Sequence, residues 1–153
     1  MPGVAFFTRS ASIASEIERR IRQAAVSVDA ALYRMNHPGL AQALAGAVKR
    51  GVHVRIVLDR GKFQESCATR ELLLETGLPY RLSCGRRKRE SKMHHKFAIV
   101  DHGILLMGSY NWTLESEEGN YENLAVLSEP ALVEAYAQEF EALWNESSRA
   151  DSI

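Results

Sequence analysis

The chain has 153 residues, 46% of them hydrophobic and 25% charged, with 19 basic and 19 acidic side chains in balance. This composition excludes a disordered or fibrous chain, and the length suits one domain that can bury about two-thirds of its unfolded surface. No apolar run approaches the roughly 18–20 residues of a membrane span and MPGVAFFTRS carries no secretory signal, so a cytoplasmic location is the default expectation, with a processed form left open.

Val4 to Phe7 reads as a first strand, and Ile13, Ile17, Ile21 and Ala24-Ala25 then recur at helical spacing behind Ser12 as cap. Val26 to Tyr33 predicts a strand. Asn36-His37-Pro38 opens a helix with Leu40, Leu44, Ala47 and Val48 on one face, closed by Gly51. Val52 to Leu58 alternates around His53 and Arg55, which fits a strand with one partly wet face. Ser66 to Thr76 predicts a short helix ended by Gly77, and Pro79 to Leu82 a short strand. Phe97 to Val100 and Ile104 to Met107 form two apolar runs around the turn at His102-Gly103. Ser116 to Tyr121 reads as a polar loop, Leu124 to Leu127 as a strand, and Pro130 to Asn145 as a final helix. The alternation predicts a single α/β domain over residues 1–153: a mixed sheet with helices on both faces. Cys67 falls in a helix and Cys84 in a loop, which makes free thiols the default.

The most specific stretch is His94 to Asn111, which places His94, Lys96, Asp101, Gly108, Ser109 and Asn111 in the order H-x-K-x4-D-x6-G-S-x-N. Six residue types at fixed offsets coincide by chance at roughly one position in 10⁷ to 10⁸. Side chains alternate along a strand, so His94 and Lys96 share one face while His95 and Phe97 take the other. An imidazole beside an ammonium suits attack on a phosphodiester. The imidazole can bond to phosphorus, and Lys96, Ser109 and Asn111 can hold the charge growing on the non-bridging oxygens. A nucleophilic histidine needs a partner for its far ring nitrogen. Asp101 is too distant along the strand and reads as a turn former, so Glu122 is the better candidate.

The segment MHHKFAIVD, followed by GSYNWT and NYENL, resembles the HKD signature of the phospholipase D superfamily. It is most similar to the single-motif branch of small bacterial endonucleases and mitochondrial cardiolipin hydrolases. That resemblance implies a phosphohistidine on His94, phosphate contacts from Lys96, Ser109 and Asn111, an orienting role for Glu122, and a structural or supporting place for Asp101 in the catalytic set. It also implies chemistry without metal or cofactor, and the histidines here lack the usual zinc spacings.

No second H-x-K exists, because His37, His53, His95 and His102 are each followed two residues on by another type. One histidine cannot be base and acid in the same step, so the expectation is a homodimer with one composite site. Charge is laid out unevenly: residues 111–153 hold ten acids against Arg149 alone. The run Arg86, Arg87, Lys88, Arg89 and Lys92, directly before the motif, is the expected substrate-binding stretch. DNA or RNA is the first reading of the substrate. A phospholipid at a membrane surface is the alternative, and a nucleic-acid-binding module with weak or no cleavage is a reading of another class.

Overall fold

The computed structural model describes residues 2–149, the side chains of Arg89, Ser148 and Arg149 aside. The elements run β1 (Val4–Phe7), α1 (Ile13–Gln23), β2 (Ser27–Leu32), α2 (Pro38–Lys49), β3 (His53–Asp59), α3 (Arg60–Glu65), α4 (Cys67–Thr76) and β4 (Tyr80–Ser83). A 3-10 turn at Lys88–Glu90 follows, then β5 (Lys96–Val100), β6 (Ile104–Gly108), α5 (Leu114–Glu118), β7 (Asn123–Leu127), α6 (Pro130–Glu146) and β8 (Ser148–Arg149). All strands join one sheet in the order β1-β7-β6-β5-β2-β3-β4-β8. Only β2–β3 and β3–β4 are parallel, so the sheet is mixed, as the alternation predicts.

Every residue of β2 is buried, because helices cover both faces there. On one side Ile13, Ile17 and Ile21 of α1, Leu40 and Leu44 of α2, and Leu72 and Leu73 of α4 pack on Val28, Ala30, Ile56 and Leu58. On the other, Val133 and Phe140 of α6 cover Ala31, Val57, Phe97, Ile99 and Leu105. Local signals set the helix starts. Ser12 Oγ accepts the Ser15 N–H, Ser66 Oγ accepts that of Thr69, and Pro38 and Pro130 occupy first-turn positions that need no donor.

Three features depart from the sequence reading. The segment 60–65, left unassigned, forms α3, because the Asp59 carboxylate accepts the Lys62 N–H and starts a turn where no apolar period exists. The polar stretch expected as loop begins inside a helix, α5, which Thr113 caps through the Ser116 N–H. The face of β3 expected to be partly wet is exposed only at His53, and α6 half-buries it at Arg55. There Arg55 pairs with Asp29 and Glu141 and lies over the rings of Phe140 and Trp144. Among the described residues, no helix is long and apolar enough to cross a membrane.

Asp101 closes the β5–β6 turn with φ 53°. Its carboxylate accepts the N–H groups of Ala25, Val26 and Ser27 at 2.7–3.1 Å, tying the turn to the entry of β2. Burial pushes this carboxyl up, but the three donors outweigh that and hold it below its ordinary 3.8. Asp101→Ala is expected to cost about 1–3 kcal/mol of stability, measured by denaturant unfolding, since three N–H groups lose their acceptor. A depressed folded pKa contributes stability that is present above the ordinary value and lost as pH falls through the folded one. The gap between wild type and Asp101→Asn should therefore be widest near neutrality and narrow below pH 3.8. A gap independent of pH would refute the assignment.

Candidate active site

Register brings one end of many strands to a common rim. Lys96 at the start of β5 faces Leu32 at the end of β2, and Leu32 pairs with Leu58 next to Asp59. On the other side Phe97 faces Met107, Gly108 faces Leu124, and Asn123 faces Phe7. The residues just beyond these ends are Tyr33, His94, Ser109 and Glu122. Rigid strand termini, not long loops, therefore carry the candidate groups, and they lie where the parallel strands of open α/β sheets end in a ligand crevice.

His94 precedes β5 and is exposed. Lys96 Nζ lies 3.4 and 3.5 Å from its two ring nitrogens and donates to its carbonyl oxygen at 2.8 Å. His95 points the opposite way, toward the ring of Phe97 and the Glu139 carboxylate of α6. The alternation expected of this stretch is what the structure has. Desolvation, then the positive charges of Lys96 and Lys92, lower the His94 pKa from its ordinary 6.5. The imidazole is thus kept neutral near pH 7. Burial likewise lowers Lys96, and the nearby Glu122 carboxylate opposes that shift.

Ser109 and Glu122 meet across β6 and β7. Ser109 Oγ donates to Glu122 Oε1 at 2.6 Å and accepts the Asn123 N–H at 3.1 Å, while Asn120 Nδ2 donates to Glu122 Oε2. Glu122 was expected to orient His94. Within one chain its carboxylate accepts from Ser109 and Asn120 and acts electrostatically on Lys96. Gly108 makes the meeting possible: a Cβ there would fall 2.3 Å from the Asn123 carbonyl oxygen, so the two strands approach closer than any side chain permits. Asn111 stands where the main chain of Trp112 bridges to Met35 and accepts the N–H groups of Asn36 and His37. Its Oδ1 is buried with no hydrogen-bond partner among the described residues.

Asp101 lies at the far end of β5, its carboxylate committed to backbone, so it belongs to the framework and not to the reacting groups. The basic run divides. Lys92 reaches the ring of Tyr33, whereas Arg86, Arg87 and Lys88 are exposed on the loop leaving β4; the Arg89 side chain lies outside the described residues. Gly85 closes that loop at φ 79°, against the backbone of Lys92.

Two residues were missed from the sequence. Tyr33 meets the His94 ring edge-on, centroids 4.4 Å apart, and donates its N–H to the His95 carbonyl oxygen at 2.8 Å. Asp59, 4% exposed, accepts the Met93 N–H at 2.9 Å with one oxygen and the Lys62 N–H at 3.0 Å with the other. The available signal was shared: each ends an apolar parallel strand with a polar-headed side chain.

The family described as "Cardiolipin synthase, PLD-like domain" matches residues 17–144. The chain belongs to the phospholipase D superfamily. The likenesses of this phospholipase D-like chain support the single-motif branch. It is 35% identical over 120 residues to the mitochondrial cardiolipin hydrolase of Xenopus tropicalis, covering 78% of this chain and 55% of that protein. It is 33% identical over 135 residues to the human mitochondrial cardiolipin hydrolase, covering 88% and 52%. The chain thus spans about half the length of the curated relatives it matches. Its fold is similar to that of Nuc, a phospholipase D family member from Salmonella typhimurium, at TM-score 0.87 and 26% identity over 97% of both chains. NucT from Helicobacter pylori shares the fold at TM-score 0.86, with 22% identity over 97% of this chain and 98% of that one.

Proposed function

We propose that the chain is a phosphodiesterase that needs no metal and cuts DNA or RNA internally through a phosphohistidine intermediate. The observation that carries this reading is the pairing of His94 with Lys96 at 3.4 Å, on the rim that also holds Ser109 and Asn111. Neutral His94 attacks phosphorus as the bond to the departing nucleoside oxygen breaks. Lys96, Ser109 and Asn111 hold the non-bridging oxygens, where charge grows. The leaving oxygen needs a proton, which a histidine already bonded to phosphorus cannot give. In a two-fold homodimer, His94 of the partner subunit supplies it. Water then attacks phosphorus, the P–N bond breaks back onto His94, and the partner's His94 takes the proton from that water.

The exposed cations of Arg86, Arg87 and Lys88, with Lys92, favour a long polyanion over a single head group. The likeness to proteins described as mitochondrial cardiolipin hydrolases favours a second reading, a phospholipid diester. Turnover of an end-labelled single-stranded oligonucleotide in EDTA, with cardiolipin vesicles left intact, is the expected outcome; the reverse assigns the lipid. The shared site has its own test. Mixing wild type with a ninefold excess of His94→Ala should cut activity per wild-type chain roughly tenfold as hybrids form. Undiminished activity would mean independent monomers.

A further inference from the structure

Beyond the reacting groups, the rim gathers positive charge around one ring. Tyr33 is 7% exposed, and three ammonium groups approach its ring centroid: Lys96 at 5.2 Å, Lys62 at 5.6 Å and Lys92 at 5.8 Å. Lys96 belongs to His94. Lys62 and Lys92 come from other elements, α3 and the segment leading into β5, and neither is accounted for by the reaction. Glu65 pairs with Lys62 at 2.9 Å from an exposed position. Ammonium groups gathered around one ring present positive charge to an anion entering beside it.

Two clefts open here, of about 390 and 510 Å³, and both are lined by Tyr33, Asp59, Lys62 and Glu65. Lys92 lines the larger. Tyr33 is the wall between these clefts and His94. The arrangement is also fixed in place, since Asp59 fastens the start of α3 and the Met93 backbone with one carboxylate. Tyr33 is itself tied to His95 by a backbone hydrogen bond. The two lysines therefore stand at a set position relative to the nucleophile.

We infer that Lys62 and Lys92, gathered around Tyr33, form a second phosphate subsite that holds a phosphate flanking the one being cut. The inference rests on the phosphodiesterase reading of His94 and adds that a substrate must carry at least two phosphates to be bound well. Lysines bordering a cleft beside the nucleophile suit this role, since each can neutralise a phosphate of a bound polyanion.

The test compares wild type, Lys62→Met and Glu65→Gln on a short single-stranded oligonucleotide and on bis(4-nitrophenyl) phosphate, which has one phosphate. Lys62→Met should lower kcat/KM on the oligonucleotide about tenfold, mostly through KM, and lessen its log–log salt slope by about one. The small diester should respond far less, so the ratio between substrates falls. Glu65→Gln, which frees Lys62, should raise that ratio. Equal loss on both substrates, or no change in the salt slope, overturns the subsite. If wild type cleaves the small diester but not the oligonucleotide, the nuclease reading fails. The subsite is then judged by the same ratio on vesicles of cardiolipin, with two phosphates, against phosphatidylglycerol, with one: a fall in Lys62→Met keeps it and an equal response removes it.

Discussion

His94→Asn is expected to lose cleavage by at least about 10⁴-fold while still binding nucleic acid. Asparagine approximates the size of the ring but cannot form a stable bond to phosphorus, so the covalent route closes. Lys96, the phosphate-holding groups and the basic loop remain, and His94 is exposed at the head of β5, where its replacement costs the edge-on contact with Tyr33 but leaves the rest of the core in place. The measurements are single-turnover cleavage and an electrophoretic binding assay on the same oligonucleotide. Acid-labile label trapped on wild type and absent from the variant would identify the intermediate. Equal residual cleavage in both proteins would refute His94 as nucleophile, and tight binding without any cleavage by wild type would make the chain a binding module.

The second large effect falls on Lys96→Met, with an expected loss of about 10²- to 10³-fold in kcat, since a cation placed at developing charge acts mainly in the transition state. This substitution also moves the pH profile. On the proposed two-histidine mechanism, kcat/KM requires one His94 neutral and the other protonated, a state most populated between the two apparent pKa values of the pair. Desolvation and the neighbouring lysines lower the His94 pKa from 6.5 within one chain, so the wild-type optimum is expected on the acid side of that value. Removing the Lys96 charge lets the imidazoles rise, and the optimum of Lys96→Met should move to higher pH. A loss of rate with the optimum unmoved would mean that Lys96 does not act on His94.

The pairing of His94 with Lys96 was readable from the sequence because the two are close in the chain and strand alternation is a local rule. His94 and Lys96 lie two residues apart, and the Asp101 turn follows from a residue type that tolerates the left-handed conformation. Helix starts at Ser12, Pro38 and Ser66 were legible for the same reason. Tyr33, Asp59 and Lys62 were not, since their nearness to His94 depends on how β2 registers between β3 and β5. The period of a segment does not contain that register. The contact between Glu122 and Ser109 was hidden on similar grounds: it is set by the β6–β7 pairing, which turns the carboxylate to Ser109. Helix α3 escaped notice because a buried carboxylate at Asp59 starts it, and a single cap leaves no periodic trace.

Gly108 limits how this centre can be redesigned. The hydroxyl of Ser109 and the carboxylate of Glu122 touch only because two main chains run together where a methyl group would collide with the Asn123 carbonyl. Variation of function can thus proceed through the heads of the side chains on either ribbon. The gap between the ribbons is set by a missing atom, and no exchange elsewhere along the rim can recreate it.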